Sequence, residues 1–306
     1  MLKGFFKVFF FTSLMFAATE GFGETNINSL YQDKLLPTYE ALKPQKDIAK
    51  KRKTTYIISA VLAVVLFLVF AKFFKLTGVI VALIMIASGY FVLKNSGSNV
   101  VGDYESEFKN SIITPIGKNC CGFSYAGDNI EKTLLQKSDI FAPRIKLYHS
   151  WDLYKNDDSI FSYIKATFDT KESASVERMN ENIFEGYFII INKPNQNEGI
   201  LVSDSLREKV SNMDLEMSSF FANASRGDKV GEYTIYGEVS QSDVDRLSPL
   251  SSLMVAISLK KDATYVVVYK KSNPLKVDPL KDFNLQSAKE YEEVFKEISA
   301  FVTKIK

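Results

Sequence analysis

The chain reads as an α+β protein fixed to a membrane: an N-terminal two-helix transmembrane hairpin, then a mostly antiparallel sheet with helices packed on one face. Three observations predict this. Tyr56 to Leu93 is two apolar runs back to back, with almost nothing in it suited to water. From Ser159 onward, apolar residues alternate with polar ones in short runs separated by turn residues. After Ser287 the period becomes helical, with Tyr291, Val294, Phe295, Ile298, Phe301, Val302 and Ile305 on one stripe.

The first apolar run, Tyr56 to Ala71, reaches the ~20 residues a bilayer requires once Thr54, Thr55, Phe73 and Phe74 are added. The second, Leu76 to Leu93, holds no charge and contains Gly78 and Gly89, which membrane helices tolerate. Only Lys72 to Lys75 lie between them. A link so short predicts an antiparallel pair over 54–94, with the chain before Thr54 and after Lys94 on one side of the membrane. Lys50, Lys51, Arg52, Lys53, Lys72, Lys75 and Lys94 flank the runs and are the expected anchors at the headgroups, Lys72 by snorkelling.

Charge divides the chain. Residues 1–99 hold 12 Lys and Arg against 5 acids, and residues 100–306 hold 26 against 31. The acidic balance of the second part disfavours nucleic acid as a partner, since that contact depends on a positive field. The lipid bilayer is the expected partner of the first part. Cys120 and Cys121 are the only cysteines and are adjacent, so they staple no distant parts of the fold.

Met1 to Ala18 has the outline of a signal peptide, with Lys3 and Lys7 before an apolar run that ends in small residues. Export would carry Lys43, Lys46, Lys50, Lys51, Arg52 and Lys53 outward, whereas such a cluster beside a membrane segment belongs in the cytoplasm. The basic cluster outweighs the leader outline. Residues 1–27 are therefore read as a signal-like or spurious extension, and the soluble domain is expected to be cytoplasmic. Within 28–53, Leu35, Leu36, Tyr39 and Leu42 share a helical face, a brace before the membrane.

The soluble domain is expected over 100–306, after a flexible linker at Asn95 to Asn99. Its expected elements begin with a helix from a capping Asp103 to Lys118, a strand from Cys120 to Ala126, and a helix capped by Asp128 and Glu131. A strand follows from Ser159. Ile183 to Asn192 is apolar on both faces and reads as a central strand, and the turn Lys193 to Glu198 suggests a hairpin with Gly199 to Ser203. Ser205 with Glu208 resembles a capping box. Val230 to Val239, Leu253 to Lys260 and Thr264 to Lys270 read as strands, the last two joined tightly around Lys261 and Asp262. Gln241 to Leu247 reads as a helical turn, and Ser287 with Glu290 as the cap of the last helix.

Candidate chemistry is sparse. His149 is the only histidine, which excludes a multi-histidine metal site and a Cys/His zinc cluster. It sits beside Trp151, the only tryptophan, as a possible base or, more commonly for such a residue, a packed one. Cys120 and Cys121 allow a vicinal redox pair or a soft-metal contact, with packing as small hydrophobes the commoner case. Asp152, Asp157 and Asp158 gather carboxylates without the spacing of a calcium loop. Arg226-Gly227-Asp228 is an adhesion tripeptide by spelling only. No phosphate loop or dinucleotide motif occurs. Gly186 within Phe184-Glu185-Gly186-Tyr187-Phe188 marks a close backbone approach or, alternatively, a ligand against the sheet. His149, Trp151 and Gly186 are the pocket candidates; no catalytic residue, metal site or cofactor is assigned.

The order of pieces resembles a bacterial family of membrane-anchored proteins known as domain of unknown function number thirty-one thirty-seven. Four stretches carry it: Leu30-Tyr31 through Leu36-Pro37 with the basic run; Tyr104 to Ile113; Phe184 to Ser203; and the paired strands ending near Tyr269 before the last helix. The chain departs from the family at Gly231 to Thr234, where members show a Glu-Ala-Arg-Tyr-like strand. The resemblance implies two transmembrane helices plus a soluble domain and supplies no activity. The expectation is an inner-membrane protein whose soluble domain binds a protein partner or self-associates as a scaffold; the alternative is a membrane-tethered sensor or enzyme with an unrecognised pocket.

Overall fold

The computed structural model describes residues 26–127, 129–141, 145–168, 184–211 and 227–306, with backbone alone at 70–71, 73–99, 145–148, 167–168 and 210–211. The signal-like outline at Met1 to Ala18 and the capping role of Asp128 lie outside these residues. The chain divides into two compact units, one built from the helical region up to Ile116 with Lys276–Glu292, the other from Gly117–Leu275 with Glu293–Lys306.

In the first unit, α1 (Ile27–Leu30) leads through a π turn (Tyr31–Leu35) into α2 (Leu36–Phe108), helical without interruption for 73 residues. The expected non-helical link at Lys72 to Lys75 and the flexible linker at Asn95 to Asn99 are both helical instead. Neither stretch contains a proline, and the backbone ladder continues through them. Asp103, expected as a cap, lies inside the helix. A straight helix would set Tyr39 and Phe108 about 100 Å apart at 1.5 Å per residue. Their rings are 6.4 Å apart, edge to face, so α2 is not a straight rod: its two ends meet. Both rings also meet Phe283, at 5.4 and 5.5 Å. Buried Tyr31, Leu35, Tyr39, Leu42, Lys46 and Ala49 recur at steps of four or three, the period of a helix seam. Leu36, expected on that face, is only half-buried.

The second unit is organised on one nine-stranded antiparallel sheet, ordered β1-β2-β3-β4-β9-β8-β5-β7-β6. The strands are β1 (Ser124–Gly127), β2 (Ile145–Lys155), β3 (Ser159–Phe168), β4 (Phe184–Ile191), β5 (Gly199–Ser203), β6 (Asp228–Val230), β7 (Tyr233–Gly237), β8 (Val255–Leu259) and β9 (Thr264–Tyr269). The helices are α3 (Thr114–Cys121), α4 (Lys132–Lys137), α5 (Asp204–Ser211), α6 (Gln241–Leu247) and α7 (Leu285–Ile305). β4 is buried and central, and β8 and β9 form the expected hairpin. The expected β4–β5 hairpin does not form: β4 pairs with β3 and β9, and β5 with β7 and β8. The reason is Asn195, whose amide donates to the carbonyls of Lys260 and Ala263 at 2.9 and 3.3 Å. It fastens the Lys193 to Glu198 connection across the β8–β9 turn, so that hairpin lies between β4 and β5.

Helices cover both faces of the sheet, not one. Phe295 of α7 packs on Phe123, Tyr154 and Phe161 on one face. The alternate residues of β3 and β4, Ile164, Ala166, Phe188 and Ile190, form a second core with Leu135 of α4 and Leu206 of α5. Cys120 and Cys121 end a helix, and no strand begins at them; Gly122, at φ +72°, supplies the left-handed residue that stops it. Glu131 precedes α4 without a side-chain cap. The hydroxyl of Ser203, not Ser205, accepts from the Leu206 amide, and Asn284, not Ser287, caps α7 by accepting from the Ser287 amide.

Candidate functional site

Two places collect polar side chains among apolar ones. The first is the base of α2. Lys46 and Lys53 occupy seam positions facing the segment 276–283, where Lys46 pairs with Asp282 and Lys53 with Asp278 at 2.8 Å. The Tyr39 oxygen accepts from Lys46 Nζ at 2.8 Å and from the Phe283 amide at 3.2 Å. Burial alone lowers the Lys46 ammonium pKa, but the bonds to Asp282 and Tyr39 outweigh it and hold the group above its ordinary value. Asp278 is pushed up by burial and pulled further down by Lys53 and the Leu280 amide. Lys43 pairs with Glu40. Lys50, Lys51 and Arg52 therefore form the outward cationic face, and Lys53, grouped with them in the sequence, is engaged inside its own unit. Lys72 is exposed, while the side chains of Lys75 and Lys94 lie outside the described residues.

Beyond this base, Ile57, Ile58, Val61, Leu62, Val64, Val65 and Leu68 are all 46–62% exposed. No residue from 54 to 69 is buried, and even the most covered positions, Ser59, Ala63 and Phe67, are only half-buried, so no side of the helix is packed away as a core stripe would be. Ile27–Val69 is long and apolar enough to cross a membrane, and its most apolar window is wholly unburied.

The second place is an aromatic ladder across β2, β3 and β4. Trp151 pairs with Tyr163, and Tyr163 with Tyr187, as direct neighbours in the sheet. Their rings are 6.2 and 5.8 Å apart. His149 stacks on Trp151 at 5.8 Å, and both side chains are exposed. β2 was not evident in the sequence because Asp152 interrupts its alternation: it has φ +62° and marks a shift in register between Trp151 and Tyr154. Asp152 is buried and accepts from the Asn273 amide. Tyr163 donates to the Lys270 carbonyl at 3.0 Å, and Lys270 pairs with Glu297 of α7 at 2.7 Å. The Tyr187 hydroxyl is buried with no hydrogen-bond partner among the described residues. Burial, with Glu297 and Tyr163 nearby, raises its pKa well above the ordinary phenol, and burial with Glu185 does the same for Tyr163. Both phenols stay protonated at neutral pH, fitted to hydrogen bonding and not to proton abstraction.

Gly186 has a structural reason of its own. A Cβ there would lie 2.1 Å from the Val268 carbonyl oxygen, so glycine is required for β4 to lie against β9. The structure thus brings Trp151 and His149 together on β2 and sets Gly186 two strands away, beside Tyr187. The acidic residues separate: Asp152 is buried in β2, whereas Asp158, in the β2–β3 turn, pairs with Lys306. Among the described residues no group of metal-ligating side chains occurs. Tyr163, Tyr187, Asn273 and Glu297 were missed because nothing in their spacing distinguishes them from core and surface. Comparison with protein families, curated proteins and solved structures finds no match for this chain.

Proposed function

We propose that this is a bacterial inner-membrane protein, crossing the bilayer twice, whose cytoplasmic α+β domain serves as a protein-interaction or scaffolding module. The observation that carries the membrane reading is the helix surface over residues 57–68, apolar and without a buried residue. The apolar stretch 56–93 would be about 57 Å long as one helix, nearly twice the ~30 Å hydrocarbon core. Two crossings fit it where one does not. A return of the chain across the bilayer is supported by the meeting of Tyr39 with Phe108. The outward Lys50, Lys51 and Arg52 favour the cytoplasmic side. The resemblance to the membrane-anchored family points the same way and brings no activity with it.

A second reading, a tethered sensor or enzyme, is favoured by one observation: the buried Tyr187 hydroxyl, without a partner among the described residues, next to Tyr163 in the ladder. The two are separated on the full chain in detergent. A scaffold gives a defined oligomer or a stoichiometric protein complex by light scattering, with a melting temperature unmoved by metabolites. Thermal stabilisation by a small molecule, with a monomer, overturns the scaffold reading in favour of the sensor.

A further inference from the structure

We propose that Cys120 and Cys121 form a vicinal dithiol that a small-molecule disulfide oxidises to a disulfide between adjacent residues. Successive side chains on a helix point about 100° apart, so neighbouring sulfurs ordinarily diverge. Here the two Sγ atoms are 2.6 Å apart, inside the ~3.5–4.0 Å at which even carbon atoms sit in nonbonded contact. The pair lies at the C-terminus of α3, where the left-handed Gly122 releases the backbone from helical geometry. Cys120 is partly exposed and Cys121 buried, which assigns the first encounter to Cys120 and the second step to Cys121.

The chemistry balances with oxidised glutathione as the oxidant. The Cys120 thiolate attacks one sulfur of the glutathione disulfide, breaking that bond, forming a mixed disulfide and releasing one glutathione. The Cys121 thiol then gives up its proton and attacks the Cys120 sulfur, expelling the second glutathione, which takes a proton. Two electrons pass from the protein to glutathione. Adjacent Cα atoms are about 3.8 Å apart, closer than in ordinary disulfides, so the closed ring is the easily reduced, regulatory kind and not a structural staple. Ring closure would be felt at the β2–β3 turn. The Asn156 amide holds the Cys121 carbonyl at 3.3 Å, and its Oδ1 accepts from the Asp158 and Ser159 amides at 3.1 and 2.8 Å.

The test is intact-mass spectrometry of the full chain in detergent, acid-quenched across a series of glutathione redox ratios. The wild type loses two hydrogen atoms and retains no glutathione, whereas Cys121→Ser retains one glutathione per chain and Cys120→Ser reacts far more slowly. Serine is small enough for both sites, and the adduct on Cys121→Ser shows that Cys120 is reachable. A wild type that accumulates the adduct, cross-links to a second chain, or stays fully reduced at every ratio overturns the proposal.

Discussion

Replacing Phe295 by Ala removes the ring that fixes the middle of α7 to the sheet. Phe295 is fully buried, 5.1 Å from Tyr154, 5.8 Å from Phe123 and 5.9 Å from Phe161. Those three rings are themselves buried to within 1% of completely, so they have little freedom to collapse into the space. Truncating such a residue costs about 3–5 kcal/mol, the aromatic pair contributions included. With a urea dependence of about 2 kcal/mol per molar, the midpoint falls by about 2 M. Urea unfolding of the full chain in a mild detergent, followed by the single Trp151, reads this directly. The same ring explains Gly117, where a Cβ would sit 2.8 Å from Phe295 Cζ. Gly117→Ala is expected to cost about 1–3 kcal/mol in the wild type. Without the ring, its sign reverses toward the ~1 kcal/mol that alanine gains over glycine in a helix. A midpoint shift under about 0.5 M for Phe295→Ala, or additive effects of the two substitutions, would refute this packing.

Other outcomes follow from the same structure. Tyr187→Phe deletes a buried hydroxyl that has no partner among the described residues and should leave stability unchanged or raise it by about 1 kcal/mol; a loss beyond that in a urea titration would mean the hydroxyl is bonded. Gly186→Ala places a methyl against the Val268 carbonyl and should cost about 3 kcal/mol or more, seen as a lower midpoint or failure to fold. Tyr39→Phe strips the acceptor from the buried Phe283 amide and should cost about 1–3 kcal/mol. Asp243 is pushed up by burial but held lower than an ordinary carboxyl by hydrogen bonds from Ser240 and Arg246. Its folded value is the depressed one, so its stabilisation is full above the ordinary carboxylate range and is lost as pH falls through that folded value. Asp243→Asn should flatten this acid limb of the melting temperature, and an unchanged limb would contradict the assignment.

What was legible in the sequence was what local periodicity encodes. The stripe through Phe295, Ile298, Phe301 and Val302 is the buried face of α7, and the apolar runs of β4, β8 and β9 are central strands. Long-range choices were not legible. The β4–β5 hairpin looked natural because six residues join the strands, yet the side chain of Asn195 binds the β8–β9 turn and diverts the chain. Caps shifted by two and three positions, to Ser203 and Asn284, because several serines and asparagines near each helix start are chemically equivalent until the backbone angle is set. The same holds for the site. The outward cations were evident from composition, but the capture of Lys46 and Lys53 by Asp282 and Asp278 spans more than 220 positions. The ladder of Trp151, Tyr163 and Tyr187 depends on a strand hidden by the left-handed Asp152.

The claim that the chain crosses the bilayer twice is tested most directly by one cysteine at a time in a Cys120→Ser, Cys121→Ser chain. Exposed Lys51 and Asp103 flank the apolar stretch. Each is changed to Cys and labelled with a membrane-impermeant maleimide in sealed vesicles of known orientation. The account predicts that both positions label in the same orientation and are protected together in the other. Labelling of Lys51→Cys and Asp103→Cys from opposite sides would contradict it and make α2 a single crossing.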